Sequence, residues 1–283
     1  MIVGTLGANI IGNWDVLSYV PSSNSLKDTD DGRLQEMPKQ HVHGDDPSPP
    51  MDPSLNVFFT MNDLKQGKRI PIYFSTKDPS TSPHLLPKQE SDSIPFSLSQ
   101  LPELLEFFSF PERSPQAKAM ECTLSECEVE PLMGEIKFCA NSLESMLDSA
   151  KGFFGTETEF HALTTKHLSK HTALLQNYTV LEVPKVVKTP KMVACHSMPY
   201  PYAVFYCHGQ EGDHKLFELS LRGDNGERVE VVGVCHVDTS HWNPDHVAFR
   251  VLHTRPGESS VCHFFPADNI IWVASPTIIK LVV

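Results

Sequence analysis

Apolar side chains recur at two different spacings along this chain. In residues 95–155 they recur every three or four positions, as at Leu98, Leu101 and Leu105. This spacing places them on one face of a helix. In residues 178–275 apolar and polar positions alternate instead, which is the period of a β-strand with one buried face.

Capping residues indicate where the predicted helices begin. Ser114 precedes Pro115, which is a serine cap followed by the proline that helices favour in their first turn. Asn141 or Ser142 is placed to cap a later helix over "LESMLDSAKGFFG". Together with the segment around Leu101, these signals predict three helices.

Short strands dominate the second half. Seven segments read as strands: "YTVLEV", "YAVFYC", "KLFELSL", "RVEVVGVC", "VAFRVL", "VCHFF" and "NIIWVA". Asn225-Gly226 lies between two of them and is a strong signal for a hairpin turn. Upstream, Val57–Phe59 and the alternation of Ile70, Ile72 and Phe74 predict two further strands. We therefore predict an α+β fold, with N-terminal helices packed on a mainly antiparallel sheet formed by the C-terminal half.

Composition separates a leader from a folded domain. Residues 1–54 are rich in Pro, Ser and Asp and read as a flexible leader or linker, whereas residues 55–283 read as one domain. The net charge of −12 disfavours a nucleic-acid partner, because the phosphate backbone is also negative. No run of apolar residues is long enough to cross a membrane. The N-terminus lacks a basic segment, so no signal peptide is evident.

The dipeptide Cys-His occurs four times, which uses four of the seven cysteines. The pairs are Cys195-His196, Cys207-His208, Cys235-His236 and Cys262-His263. Each pair lies in or beside a predicted strand, where neighbouring side chains point to opposite faces. The four histidines can therefore converge on one side of the sheet while the four cysteines serve another purpose.

Several imidazoles in one place point to a metal, although each histidine taken singly is more often an ordinary core or surface residue. Neutral imidazole binds zinc, copper, iron and nickel. Without thiolate ligands and with several imidazoles, Cu(II) is a good candidate in an oxidising compartment, whereas cysteine ligands would favour zinc. Cysteines on the opposite face would form disulfides or pack as small apolar groups.

The four Cys-His pairs followed by Trp272 resemble the signature of the plant BURP domain. "VFFTMNDLKQGKRIPIYF", "CEVEPLMGEIKFCANSLESML", "VCHVDTSHWNPDHVAF" and "VCHFFPADNIIWV" also resemble segments of that family. The resemblance covers about residues 55–275, and the sequence of these segments is similar to the seed and microspore branch of the family. Proteins of this family normally enter the secretory route, to the cell wall, apoplast or storage vacuole. Some are copper-dependent cyclases that join a Tyr or Trp side chain to an unreactive carbon of a peptide.

The resemblance implies a role for individual residues. The implied copper ligands are His196, His208, His236 and His263, with His246 as a possible extra ligand and His241 as a weaker match. The implied disulfides join Cys127 to Cys139 and make two more from Cys195, Cys207, Cys235 and Cys262. Cys122 is then left over. Separately from the resemblance, Asn177 begins a glycosylation sequon, Asn-Tyr-Thr.

Three functions remain open at this level. The chain is a copper-dependent oxidative cyclase acting on a separate peptide, a non-catalytic copper protein of the wall or vacuole, or a disulfide-bonded structural domain. No repeated core peptide is present, and only Trp14 and Tyr19 in the leader offer a candidate. Tyr200, Tyr202 and Tyr206 beside the repeats read as strand and core residues first. The expected partners are a peptide substrate or a cell-wall component, with neither nucleic acid nor membrane.

Overall fold

The structure is a computed structural model that describes residues 57–74, 82–131, 135–169, 173–210 and 214–275. The helices are α1 (Lys88–Ser91), α2 (Leu101–Phe107), α3 (Pro115–Glu128), α4 (Leu143–Phe154) and α5 (Val247–Leu252). The strands are β1 (Phe58–Phe59), β2 (Arg69–Tyr73), β3 (Glu135–Ala140), β4 (Phe160–Leu163), β5 (Lys166–His167), β6 (Leu175–Val180), β7 (Lys185–Val187), β8 (Met192–Met198), β9 (Val204–Gln210), β10 (His214–Gly223), β11 (Arg228–His236), β12 (Val261–Phe264) and β13 (Ile270–Ala274). Single-turn 3-10 helices cover Met61–Asp63 and Leu98–Gln100.

The strands form two antiparallel sheets. The larger has eight strands in the order β1-β12-β11-β10-β6-β2, with β5 added beside β11 and β7 beside β10. The smaller has five strands in the order β3-β9-β8-β13-β4. In the larger sheet the rings of Phe74 and Phe264 stack with centroids 6.4 Å apart, so this sheet curls until its two edges approach each other.

One apolar cluster joins the inward faces of the two sheets. The smaller sheet contributes Ala194 and Ile271, and the larger contributes Leu216 and Val234, all of which are buried. The opposite face of the larger sheet has its own core, built around Tyr178 and other side chains. The opposite face of the smaller sheet is covered by α4. Each sheet therefore has an apolar cluster on both faces.

The predicted α+β class is wrong. The protein is mostly β, with two antiparallel sheets and a few short helices, rather than N-terminal helices packed on a C-terminal sheet. β1 and β2 precede α1 and pair with β12 and β6. β3 interrupts the part that was predicted to be helical and pairs with β9. Helical spacing located the helices, but it carries no information on the sheet to which the intervening segments belong.

Local signals located most elements correctly. The Ser114 hydroxyl accepts a hydrogen bond from the Ala117 amide at 3.1 Å, and the Ser142 hydroxyl accepts one from the Ser145 amide at the same distance. Both helix starts are therefore confirmed, and so is the hairpin between β10 and β11. The segment "VAFRVL", predicted as a strand, is instead the helix α5. Its run of apolar residues suits either structure, and His246 caps it as a helix.

None of the helices in the described part of the chain is long and apolar enough to cross a lipid bilayer.

Candidate functional site

The strand register places the histidines of the four Cys-His pairs on the inward faces of the two sheets. In the smaller sheet His208 lies opposite Ala194, and His196 follows two residues further along the same strand as Ala194. In the larger sheet His263 lies opposite Val234, and His236 follows that valine by two residues. Ala194 and Val234 belong to the apolar cluster between the sheets. The histidines therefore continue both inward faces beyond this apolar core.

The cysteines of the same pairs lie on the opposite faces. Cys195 and Cys207 are directly opposite each other in β8 and β9 and form a disulfide, with Cα atoms 4.0 Å apart. Cys235 and Cys262 do the same in β11 and β12, also with Cα atoms 4.0 Å apart. A third disulfide joins Cys127 at the end of α3 to Cys139 in β3. Cys122 on α3 is exposed and is not in a disulfide. The Cys-His dipeptide thus fastens two strands with one residue and presents an imidazole inward with the next.

The smaller sheet brings His196 and His208 into contact. Their Nε2 atoms lie 3.3 Å apart, with a hydrogen bond between them. The Nδ1 atom of His196 is 2.8 Å from the Nδ2 atom of Asn269, and the Nδ1 atom of His208 is 3.3 Å from Oε1 of Glu135. The ring of Tyr206 lies against His208, with centroids 5.4 Å apart.

The larger sheet holds a second group of imidazoles. The rings of His236 and His263 stack with centroids 5.8 Å apart. His214 faces His236 across the hairpin, with ring centroids 4.9 Å apart. Phe265 connects the two groups, because its ring lies 5.6 Å from His196 and 5.0 Å from His263. The two groups of histidines therefore meet at one place between the sheets.

Burial keeps three of these imidazoles neutral, those of His196, His236 and His263. It lowers the pKa of His196 and His236 well below the ordinary value, and the neighbouring histidines add to the effect in both cases. Burial also lowers the pKa of His263 to about 4, again with a contribution from nearby histidines. A neutral imidazole has a lone pair available, whereas a protonated one cannot bind a cation. The site therefore offers neutral nitrogen donors even in mildly acidic surroundings.

His246 lies at the start of α5, beside the histidines of the larger sheet. Its Nδ1 atom accepts a hydrogen bond from the Ala248 amide at 3.2 Å and so caps α5. Its ring packs against Trp242, with centroids 4.8 Å apart, and Trp242 in turn lies 5.0 Å from the ring of His236. The segment containing Trp242 and His246 therefore borders the larger-sheet histidines. Burial lowers the pKa of His246 as well.

Other predicted residues lie apart from the cluster or outside the described chain. His241 is exposed in the loop before α5. Asn177 is exposed on β6, and its amide donates to a carboxylate oxygen of Asp224 at 3.3 Å. Tyr200 and Tyr202 are fully buried beside α2 and α3. The predicted leader, including Trp14 and Tyr19, lies outside the described residues.

The donor set fits copper in its chemistry, but it is assembled as two groups rather than one shell. Within the described ranges, no three His, Cys, Asp or Glu side chains are close enough together to hold a metal ion. The separation of 3.3 Å between the Nε2 atoms of His196 and His208 does suit two ligands of one ion. Nitrogen ligands at about 2.0 Å from a tetrahedral ion are roughly that far apart, whereas neighbouring nitrogens in the square-planar sites that Cu(II) prefers lie closer together. Neutral imidazoles without thiolate match the ligand preference of Cu(II).

Sequence reasoning missed several residues that border this site. His214 was overlooked, although a hairpin centred on Asn225 pairs it with His236. Phe265, Asn269 and Glu135 also approach the histidines. Asn269 and Glu135 come from other strands or turns, so no local pattern marks them. Their positions depend on which strands become neighbours.

These features define a class of protein: a disulfide-bonded domain of two β-sheets with a partly buried histidine cluster between them. A family model described as the BURP domain matches residues 57–274. The chain belongs to the BURP-domain family.

Three plant relatives illustrate the similarity. The BURP domain-containing protein BNM2A of Brassica napus is 49% identical over 229 residues, which are 79% of this chain and 81% of the relative. The BURP domain protein USPL1 of Arabidopsis thaliana is 48% identical over 78% of this chain and 81% of its own length. The BURP domain protein RD22 of the same plant is 38% identical over 78% of this chain and 56% of its own length.

Proposed function

We propose that this protein is a secreted plant BURP-domain protein that holds copper on His196, His208, His236 and His263 and oxidatively crosslinks a separate peptide. The observation that carries the proposal is the approach of two groups of imidazoles, one from each sheet, on either side of Phe265. Imidazole-rich, thiolate-free donor sets favour copper over zinc where the cysteines are oxidised.

The proposed reaction joins a Tyr or Trp side chain of the peptide to an unactivated carbon. One hydrogen atom leaves the phenol or indole and one leaves the carbon, and dioxygen accepts both. When bound, copper supplies the one-electron oxidation that zinc does not provide. The protein's own residues hold the donor nitrogens in place. Tyr206 and Trp242 border the histidines from the two sheets and provide aromatic surface for the peptide side chain.

The proposed location is the apoplast, the cell wall or a storage vacuole. Three disulfides are compatible with the secretory route, because disulfides persist in oxidising compartments. The lowered pKa of His263, about 4, leaves that imidazole unprotonated at the mildly acidic pH of such compartments. Metal binding would therefore survive conditions that protonate an exposed histidine.

A crosslinking assay tests the activity. Protein purified through a secretory host would be loaded with copper or with zinc and incubated in air with short peptides that contain Tyr or Trp. We expect mass spectrometry to show products lacking two hydrogen atoms with the copper form alone. His208→Gln should abolish them, whereas His161→Gln, at an exposed histidine on β4, should not. Equal activity of the zinc form would exclude the oxidative mechanism.

A second candidate is a non-enzymatic wall or storage-vacuole protein in seed or pollen development or stress response. The observation that favours it is the arrangement of the histidines as two separate groups, with His196 hydrogen-bonded to His208. Such a protein could bind copper without turning over a peptide. Stoichiometric copper in a protein that modifies none of the tested peptides would favour this candidate.

A further inference from the structure

The hydrogen-bond partners of His196 and His208 determine which nitrogen of each ring carries its proton. A neutral imidazole has one N–H donor and one lone-pair acceptor, and its neighbours select which nitrogen is which. Between two facing nitrogens only one proton can lie. The 3.3 Å contact between the Nε2 atoms therefore needs one donor and one acceptor.

Asn269 determines the tautomer of His196. The Oδ1 atom of Asn269 accepts from the backbone amide of Ser197 at 3.3 Å, which directs its NH₂ group at Nδ1 of His196, 2.8 Å away. An amide NH₂ can only donate, so this Nδ1 accepts and the proton of neutral His196 lies on Nε2. Asn269 is buried, with 7% of its surface exposed, and Asp268 next to it accepts from the Ser197 hydroxyl at 2.6 Å. Water is thus kept from competing with this contact.

Glu135 favours the opposite tautomer of His208. Its carboxylate oxygen lies 3.3 Å from Nδ1 of His208, and a carboxylate can only accept. The proton of His208 therefore lies on Nδ1, and its Nε2 is the lone pair that faces His196. Donation then runs in one direction, from Asn269 to His196, from His196 to His208 and from His208 toward Glu135.

We propose that Asn269 and Glu135 are positioning residues that fix opposite tautomers of His196 and His208. In the metal-free protein the two Nε2 atoms are therefore hydrogen-bonded to each other, which defines the closed pair. His208 already presents a lone pair at Nε2. His196 can do so only after its proton moves to Nδ1, which requires the Asn269 amide to turn over and present Oδ1. Turning over removes the acceptor of the Ser197 amide. Asn269 is therefore a switch between a closed pair and one open to a cation, and the cation part of this inference rests on the proposed function.

Nitrogen NMR of the metal-free protein tests the tautomers without any metal. Spectra of histidine-labelled protein near neutral pH distinguish Nε2–H from Nδ1–H rings, and His196→Gln and His208→Gln assign the signals. We expect Nε2–H for His196 and Nδ1–H for His208. Asn269→Asp, whose carboxylate can only accept, should move His196 to Nδ1–H. A wild-type His196 that is already Nδ1–H would overturn the proposal.

Variants at Glu135 separate an electronic role from a structural one. Glu135→Gln keeps an acceptor oxygen and should retain the Nδ1–H form of His208. In Glu135→Met alone His196 still donates to Nε2 of His208, so the informative variant combines Glu135→Met with Asn269→Asp. This double variant removes both influences and should move His208 to Nε2–H. Persistence of the Nδ1–H form of His208 in the double variant would refute the role of Glu135.

Binding of Cu(II), measured by competition with a chelator, tests the switch. Asn269→Asp should bind at least about tenfold more tightly than wild type, in line with the size of such outer-shell effects. Weaker binding by Asn269→Asp would refute the switch. Absence of copper binding in a protein with the expected tautomers would instead refute the proposed function and leave the hydrogen-bond assignment intact.

Discussion

Acidification should destabilise the metal-free protein through its buried histidines, and His263 allows the effect to be calculated. Its pKa is about 4 in the folded protein and 6.5 in the ordinary state. The unfolded chain therefore takes up the proton first as the pH falls. This contribution to stability is complete above pH 6.5 and is lost progressively down to about pH 4.

The magnitude follows from the difference between the two pKa values. Each pKa unit corresponds to about 1.4 kcal/mol of free energy, so the full contribution of His263 is about 3 kcal/mol. Between about pH 7 and about pH 4.5, roughly 2 kcal/mol of it should disappear. The lowered pKa values of His196 and His236 act in the same direction.

Urea unfolding followed by circular dichroism provides the assay. The free energy of unfolding of the chelator-treated protein would be compared at the two pH values with that of His263→Asn. The variant should lose roughly 2 kcal/mol less than wild type on acidification. His161→Asn, which removes an exposed imidazole, is the matched control and should behave like wild type. An identical loss in wild type and His263→Asn would refute the link between burial and acid sensitivity.

Two further substitutions test the packing that supports the site, both by urea unfolding near neutral pH. Glu227→Ala should lower the free energy of unfolding by about 3 kcal/mol. The buried carboxylate of Glu227 accepts hydrogen bonds from three side chains, those of His167 at 2.8 Å, Gln176 at 3.0 Å and Tyr178 at 3.3 Å. A loss below about 1 kcal/mol would contradict this role. Gly209→Ala, in the strand that carries His208, should destabilise by roughly 1–3 kcal/mol, because a Cβ there would lie 2.5 Å from the carbonyl oxygen of Met192. Gly152→Ala is the control, since nothing lies within 4 Å of a Cβ at that position. It should stabilise the protein by about 1 kcal/mol, because alanine favours the helix. Equal changes in the free energy of unfolding for the two variants would contradict the close approach at Gly209.

Local patterns predicted elements better than architecture. Ser114 and Ser142 mark helix starts by a hydrogen bond within one turn, and Asn225-Gly226 marks a hairpin within four residues, so nearby sequence suffices for both. Sheet order depends instead on distant partners, such as Phe58 of β1 opposite His263 of β12. No local spacing encodes that pairing, and the fold class was therefore wrong.

The same distinction between local and distant information applies to the residues of the candidate site. Alternation along a strand was enough to place the four histidines and their cysteines on opposite faces, as the register now shows. Strand register alone could also have identified His214 as the partner of His236. Asn269, Glu135 and Phe265 could not be identified in this way. They reach the imidazoles only because β13 and β3 begin, and β12 ends, beside the histidines in the folded protein.

Electron paramagnetic resonance of a copper titration tests most directly whether the two sheets share one metal site. Spectra would be recorded for wild type and for His208→Gln and His263→Gln, one variant from each sheet, with elemental analysis of the same samples. We expect one copper-dependent signal with nitrogen couplings that both variants alter. Copper that is unaffected by His263→Gln, or a folded wild type that binds no copper, would contradict a metal site shared by the two sheets.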